Sequence, residues 1–576
     1  MLSTLARRPL GRVAITRPVL QIIPTRHLNN LPASHTDEGT PKNLKSVAVL
    51  GGGITGLSAA WYLSKLAPDV PITLYESSNR LGGWLRTKRV KYDGGSVMFE
   101  TGPRTLRANS VAAMVTLDMI RQLQLEDQLN IVHKEDPSAK NRFIYYANQL
   151  NKVPNSVTGT LLGLLTNPVL KGVLRGVLWE YTREQRPKEA IDESVGSFIA
   201  RRLNDHVADN LVSSVFHGIY AGDIDKLSAR AILPKQWRLE GKYGSITRGL
   251  LAKNKEQPFE DTALRFEMQQ VEENTNLIKA MQNASVFTFK DGIETLSNAL
   301  VEDLMNSPMV EIRLNDPVEQ LVYNWKDSEY PLAIANHSYS HVISTLFGPI
   351  TNSMLPKHAQ TPELRDVEAT NVVVVNLFYK TPNLVPKGFG YLLPKSVPEE
   401  ANPHRVLGVI FDSLAEGESG TKLTVMMGGH WWSHIHPSKY PNEIELTLMA
   451  RDTLRMHLGI HEIPVASYCA VNKDCIPQYY MGHEYKMMTV HKSLKRNFHG
   501  RVAVAGPTYA GVGVHDCIRS ARATIQGWLD NNGEYTGLER QMRDDWVDIS
   551  KFDMTKEENQ PTEEEIKWMD EQRSRK

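Results

Sequence analysis

Three cysteines are all the chain has, Cys469, Cys475 and Cys517, and none stands at metal-ligand spacing from another. That excludes a disulfide framework and a zinc-finger-like site, and fits a reducing or redox-neutral compartment. Charge of one sign is also lacking. Lys and Arg number 66 against 65 Asp and Glu, a net charge of +1, so bulk electrostatics offers no case for a nucleic-acid partner. No stretch reaches the roughly 18 uninterrupted apolar residues of a spanning helix. No Ser/His/Asp, Cys/His or metal constellation is recognisable, so no metal site is expected. Acidic residues are absent before Asp37, whereas Arg7, Arg8, Arg12, Arg17 and Arg26 are interspersed with Ser, Thr and Leu. An Arg-rich, acid-poor start without a continuous apolar core reads as a mitochondrial presequence rather than a secretory signal. Pro9, Pro18 and Pro24 break any long helix there, so residues 1–43 are set outside the fold. What remains is an ordinary globular balance, 41% hydrophobic and 23% charged, in a chain of 576 residues long enough for two or three domains.

The rest of the chain is organised around residues 46–84. Val47-Ala-Val-Leu50 reads as a short buried strand, followed at once by Gly51-Gly52-Gly53-Ile54-Thr55-Gly56, a helix to Leu66, and a second strand, Pro71–Glu76. This is a complete dinucleotide-binding unit. Gly51 permits the tight turn, Gly53 leaves the backbone open to a pyrophosphate, and Gly56 lets the helix pack on the sheet. The phosphates would face the positive helix N-terminus. Glu76, twenty residues beyond Gly56, can accept hydrogen bonds from ribose hydroxyls, and a carboxylate there disfavours the 2′-phosphate of NADP.

Glu76-Ser77-Ser-Asn-Arg80-Leu-Gly-Gly83-Trp84 resembles the second fingerprint of the flavin-dependent amine-oxidase superfamily, whose loop wraps over the diphosphate of a non-covalent FAD. Phe99-Glu-Thr-Gly102-Pro103-Arg104-Thr105 then resembles the protoporphyrinogen IX oxidases, in a fungal-type form. The resemblance spans about residues 45–530. It implies that Gly51, Gly52, Gly53, Ile54, Thr55, Gly56, Glu76, Ser77, Arg80, Gly83, Trp84, Gly102, Pro103, Arg104 and Thr105 contact FAD. By the same match Val318, in Asp316-Pro-Val318, contributes a backbone contact to the adenine. The third flavin contact is Gly506 with Gly511-Val512-Gly513, ahead of a helix beginning near Val514. Helix N–H groups there can stabilise negative charge on a reduced flavin.

The same resemblance supplies substrate positions. Arg142, in Asn141-Arg142-Phe143, matches a propionate-binding arginine, and a guanidinium can clamp a carboxylate bidentately. Gly218, in a small-residue turn after a helix, would present its carbonyl to the macrocycle. Phe389 and Leu392 would sandwich the ring, with Gly390 helping to orient it. His217, beside Gly218, is read as structural, and no single catalytic base is assigned. Ile476-Pro-Gln-Tyr479 also matches the family, whereas Glu484 stands where an aromatic is expected in animal members.

The expected fold is α/β: a doubly wound, Rossmann-like FAD domain (44–135, 285–346 and 494–535), a mixed-sheet substrate domain (136–152, 253–284 and 347–493) and a helical membrane-associating domain (153–252). A tail (536–576) follows. Within the helical part, Leu170, Val173, Leu174, Val177 and Leu178 follow the spacing of one helical stripe, with Lys171 and Arg175 on another face. Residues 254–284 read as a polar surface excursion. The implied reaction is oxidation of protoporphyrinogen IX to protoporphyrin IX by three flavin turnovers, with O2 reduced to H2O2. The implied location is the mitochondrial inner membrane, peripherally, on the intermembrane-space side. A homodimer and hand-over of product to ferrochelatase stay open. So do two other classes. One is an amine oxidase acting on a mono- or polyamine, which would want an aromatic cage and acidic groups rather than Arg142. The other is a flavin-less carrier of the same fold.

Overall fold

The structure is a computed structural model that describes residues 40–155, 159, 163–164, 166–252, 256–412, 420–542 and 546–548. The presequence expected over 1–43 lies almost entirely outside the described residues, as do Leu161, Leu162, Leu165 and the charged stretch 553–576.

Two sheets organise the chain. The first is parallel and five-stranded, in the order Val310–Arg313, Ile72–Tyr75, Val47–Leu50, His341–Ser344, Val502–Val504. Its middle strand is wholly buried, which is why it reads as an unbroken apolar run rather than an alternating one. The helices Ile54–Leu66, Val514–Asp530 and Glu294–Met305 pack together on it. Trp61, Leu63, Leu300, Ile518 and Trp528 share its core.

The second sheet has seven strands, in the order Ala466–Pro477, Ala369–Tyr379, Thr421–Gly428, Val406–Phe411, Gly390–Leu392, Arg142–Tyr146, Gln149–Val153. Every neighbouring pair is antiparallel except Gly390–Leu392 with Arg142–Tyr146, which run parallel. Side chains of Val373, Val375, Leu377, Leu423 and Val425 form its core. The α/β architecture expected from the sequence, a doubly wound unit joined to a mixed sheet, is therefore the one observed.

Between residues 168 and 251 the chain is helical, and its interior is held by ion pairs as well as apolar contacts. Arg202 and Glu180 are fully buried and paired, and Glu180 also accepts from Ser245 and from the backbone amides of Ile246 and Thr247 at 2.9 Å. Glu240, equally buried, takes Arg186 at 2.7 Å and Arg201 at 2.6 Å. A buried charge is tolerable only when it is paired and bonded in this way.

Several local expectations change. The stripe predicted from Leu170 to Leu178 is broken by Gly172, whose φ of +81° is left-handed, so the helix starts at Val173. Leu170 is buried in the preceding 3₁₀ turn, and Lys171 does not share a helical face with Arg175. Gly218 lies inside the helix Ser213–Tyr220, whose end is the left-handed Ala221. Residues 256–284 are no surface excursion and do not join the mixed sheet. Their helices Phe259–Gln270 and Glu272–Ala280 pack on the helix Val111–Gln122. Asp261 and Glu267 pair with Arg519 and Arg522 of the Val514–Asp530 helix, so charge that suggests a solvated loop is spent on an interface. The start of the expected tail is also packed: Thr536 and Leu538 are buried, and Trp546–Asp548 pairs with Glu256–Pro258.

Candidate active site

The turn out of the central strand closes with the Gly51 amide on the Tyr75 carbonyl at 2.8 Å, and Gly51 has φ +102°. A Cβ on Gly56 would stand 1.8 Å from the Gly51 carbonyl oxygen, so the helix approaches as closely as it does only because Gly56 has none. Gly53 caps that helix without any side-chain hydrogen bond, and no acidic residue lies in its first turn. Elsewhere Ser110, Ser194, Ser228, Ser245 and Asn442 cap helices with their side chains. The first-turn amides of Ile54–Leu66 are thus left for an anion.

The second loop lies against the first. Gly53 bridges to Gly82, and a Cβ on Gly83 would meet the Gly53 Cα at 2.9 Å. Glu76 is oriented by two amides, Gly52 N–H to Oε2 and Ser78 N–H to Oε1, both at 2.8 Å, while Ser77 stands beside it. Oε2, with one donor, keeps a lone pair for a ribose hydroxyl. The Arg80 guanidinium folds back onto the Leu81 carbonyl at 2.6 Å and the Gly83 carbonyl, so in this structure it staples its own loop. Trp84 is 44% exposed, and its carbonyl abuts Gly102, where a Cβ would come within 2.6 Å. Val318 packs near Tyr75, beyond a loop whose Asp316 amide donates to the Glu76 carbonyl at 3.0 Å.

Arg104 departs from its expected setting. It is buried, and Nη1 donates to Asp412 Oδ2 at 2.7 Å, with Pro103 and Thr105 partly exposed on either side. The Thr424 hydroxyl lies within hydrogen-bond reach of both Asp412 Oδ2 and Asn376 Oδ1, its one proton serving either acceptor, and Asn376 donates to the Glu100 carbonyl at 3.1 Å. The Arg104 charge is therefore matched by a carboxylate of the mixed sheet. Burial raises the neighbouring Glu100 carboxyl to about 7, against the pull of hydrogen bonds from Ile293 and Thr87.

The third loop closes the set. Thr55 Oγ1 would lie 3.0 Å from a Cβ on Gly506, so the Gly506 turn (φ +106°) sits on the first loop. Gly513 caps Val514–Asp530 through its backbone, with the Asp516 carboxylate drawn to the Gly513 amide at 3.3 Å. Val512 packs on the apolar cluster to which Phe216, Tyr220 and Tyr479 belong. The glycine loops at 51–56, 82–83 and 506–513 thus meet, and the uncapped N-terminus of Ile54–Leu66 with its glycine-lined approach suits the pyrophosphate of a dinucleotide.

Beside this cradle, the one parallel pair of the mixed sheet sets Arg142 opposite Gly390 and Ile144 opposite Leu392. The Arg142 guanidinium lies 5.7 Å from the Phe389 ring. No anionic partner for it occurs among the described residues. Partial withdrawal from water, with the charge of Arg107 nearby, lowers its pKa. Gly218 faces Leu392: a Cβ there would touch both Leu392 methyls at 3.0 Å. Its carbonyl is in the last helical turn, where no intrahelical donor reaches it. The Arg107 carbonyl accepts from His515 Nε2 at 2.9 Å, which ties this corner to the first turn of Val514–Asp530.

Sequence reasoning missed three supporting residues. Asp412 is found only through its fold-dependent pairing with Arg104. His430 meets His217 at 3.0 Å between Nε2 atoms, while His217 Nδ1 bonds the Leu393 carbonyl at 2.7 Å. Both imidazoles are held neutral, chiefly by burial, at about 4 and about 3. Both His217 ring nitrogens are committed, which excludes it as a proton-accepting base. The third is Tyr479, whose motif was visible but whose role was not.

A family model for flavin-containing amine oxidoreductases matches residues 54–524. The chain is 36% identical over 492 residues to a protoporphyrinogen oxidase of Schizosaccharomyces pombe, covering 84% of this chain and 98% of the relative. It is 34% identical over 496 residues to the Homo sapiens protoporphyrinogen oxidase, covering 83% and 97%. A solved bacterial structure from Exiguobacterium sp., assigned to the same enzymes, superposes with a TM-score of 0.63 at 23% identity over 84% of this chain and 98% of that one. The chain belongs to the flavin-containing amine oxidoreductases. Within them it belongs to the protoporphyrinogen oxidases.

Proposed function

We propose that this chain oxidises protoporphyrinogen IX to protoporphyrin IX with non-covalent FAD. Six electrons leave the macrocycle in three turnovers, and three O2 become three H2O2. The observation that carries this reading is the corner made by Arg142, Phe389, Gly390, Leu392 and Gly218: an unpaired guanidinium, apolar walls and a free carbonyl. An apolar macrocycle with two propionates and inward N–H groups fits it. A cationic amine does not, because Arg142 and Arg107 would repel it.

Arg142 would clamp a propionate, Phe389 and Leu392 would hold the ring plane, and the Gly218 carbonyl would accept from a pyrrole N–H. FAD, when bound, supplies the hydride-accepting ring and returns the electrons to O2. The first-turn amides of Val514–Asp530 would favour negative charge on that ring. The glycines 51–56, 82–83 and 102 and Glu76 would take the pyrophosphate and ribose. Proton loss needs no dedicated base, since aromatisation drives it. A visible flavin spectrum, followed by porphyrin fluorescence on adding protoporphyrinogen IX and no response to amines, tests the proposal. A colourless protein favours the flavin-less carrier.

We also propose a peripheral site on the mitochondrial inner membrane, on the intermembrane-space side. Support comes from the Arg-rich start and from Leu174, Val177, Leu178, Trp179 and Tyr181, all exposed in one helical segment. Among the described residues no helix is long and apolar enough to cross a membrane. A homodimer and product transfer to ferrochelatase are compatible with that placement.

A further inference from the structure

Residues Gln478 and Tyr479 follow directly after the long strand Ala466–Pro477. Their side chains reach both halves of the site. The Tyr479 hydroxyl donates to the Pro507 carbonyl at 2.6 Å and accepts from the Gly511 amide at 2.7 Å. One phenol oxygen thereby closes the loop between Gly506 and the helix Val514–Asp530. Gly511 has φ +114°, a conformation the loop holds without any regular backbone ladder. Tyr479 is buried, its ring stacked on His483 at 4.0 Å and edge-on to Tyr220 at 6.0 Å. Burial raises the phenol's pKa well above its ordinary value, so it remains donor and acceptor at once.

The other half is reached from the same two residues. Gln478 Nε2 donates to the Tyr220 carbonyl at 2.9 Å, which fixes the end of the helix carrying Gly218. The Tyr479 carbonyl accepts from the Ser228 amide at 2.8 Å, and Ser228 bonds Asp192, which also takes the Gly482 amide at 2.7 Å. Consecutive side chains thus hold the loop that fronts the helix N-terminus and the helix that carries the carbonyl.

We infer that Tyr479 is a positioning residue: its hydroxyl sets the 507–513 loop relative to the Gly218 helix, and so the distance between hydride donor and acceptor. This rests on the tetrapyrrole-oxidising function proposed above. Tyr479→Phe keeps the ring contacts and removes both hydrogen bonds. In flavin-free protein the Gly511 amide of Tyr479→Phe is expected to exchange with deuterium about tenfold faster than in wild type, and the flavin dissociation constant to rise about tenfold, the cost of one lost buried partner. In the loaded protein kcat falls while KM for protoporphyrinogen IX is unchanged. Gln478→Met, cutting the other tether, raises KM and leaves Gly511 exchange at the wild-type rate.

Unchanged exchange and flavin affinity in Tyr479→Phe would overturn the inference, as would kcat and KM moving together. If Tyr479→Phe does not fold, wild-type protein decides: a Gly511 amide exchanging as an open loop without flavin overturns the role, and a protected one supports it. Wild type that turns over substrate alongside an unaffected Tyr479→Phe sinks the positioning role alone. Wild type that fails to oxidise the macrocycle sinks the functional reading and leaves the exchange result standing.

Discussion

Gly53→Ala and Gly56→Ala, three residues apart in one loop, should separate cofactor binding from folding. Gly53 has φ −75° and ψ 179°, extended backbone that alanine adopts freely, and a Cβ there would find only the Gly83 Cα, at 3.8 Å. Losing glycine at the helix cap costs about 0.5–1 kcal/mol. A stiffer unfolded chain returns about 0.4–1 kcal/mol. The net change is within about 1 kcal/mol, a melting shift of roughly 2–4 °C at most. The methyl would nonetheless stand between two glycine loops, where a pyrophosphate must meet bare amides. Flavin affinity should fall at least tenfold, about 1.4 kcal/mol or more. At Gly56 the added Cβ lies 1.8 Å from the Gly51 carbonyl oxygen, a backbone atom that cannot swing aside. Helix and strand must part, and the overpacking cost of about 3 kcal/mol or more falls on the fold itself. The ratio of flavin to protein absorbance and the melting of flavin-free protein read the two effects apart. Gly53→Ala with full flavin, or melting as low as Gly56→Ala, would refute the reasoning.

Arg142→Ala should raise KM for protoporphyrinogen IX at least tenfold with flavin content intact, since its guanidinium faces the corner and no cofactor loop; loss of flavin instead would remove it from the substrate site. Glu180→Gln should destabilise by about 3 kcal/mol in chemical denaturation, because it leaves the fully buried Arg202 with only the longer 3.5 Å pairing to Glu240. Burial alone would raise the Glu180 carboxyl, but bonds from Ser245, Thr247, Arg202 and Ile246 hold it at about 2, so its contribution is complete above pH 4.5 and lost as pH falls toward 2. Glu100 works the other way. Burial lifts it to about 7, so the unfolded chain gives up the proton first and stability declines as pH rises from 4.5 to 7; Glu100→Gln should flatten that part of the melting curve.

Local sequence carried the dinucleotide unit because each of its constraints acts within thirty-odd residues: a buried strand, a glycine turn, a helix, a second strand. The strand Val47–Leu50 and the start of the helix at Val514 fall where they were expected, while the first helix begins at Ile54, inside the Gly51–Gly56 run rather than after it. The helix expected from Leu170 failed because apolar spacing is blind to backbone sign, and Gly172 reverses it. Residues 256–284 were misjudged for a different reason. Their acidic residues have partners more than two hundred positions away, Arg519 and Arg522, and charge composition alone cannot distinguish an interface from a solvated face.

Arg104 shows the same limit at the site itself. Its motif placed it correctly in the loop after the strand Gly95–Glu100, but not its counter-charge, Asp412, which arrives from a strand of the other sheet. The seam runs from Arg104 through Asp412, Thr424 and Asn376 to the Glu100 carbonyl, and Asn472 adds a bond to the Thr101 carbonyl at 2.8 Å. Asp412, Thr424, Asn376 and Asn472 lie on or directly after strands of the mixed sheet, whereas Arg104, Glu100 and Thr101 belong to the antiparallel hairpin Thr87–Tyr92/Gly95–Glu100 and the loop after it. A network of this kind loses more than one bond when any member goes, because its partners stay buried and unpaired. The hairpin and the mixed sheet are therefore held in one register by polar groups, whose bonding is directional, as well as by the apolar contact of Val97 and Phe99 with Phe378 and Ala466. The proposed hydride transfer would depend on that register, since the proposed macrocycle corner lies on the mixed sheet and Gly102 of the proposed cradle follows the hairpin.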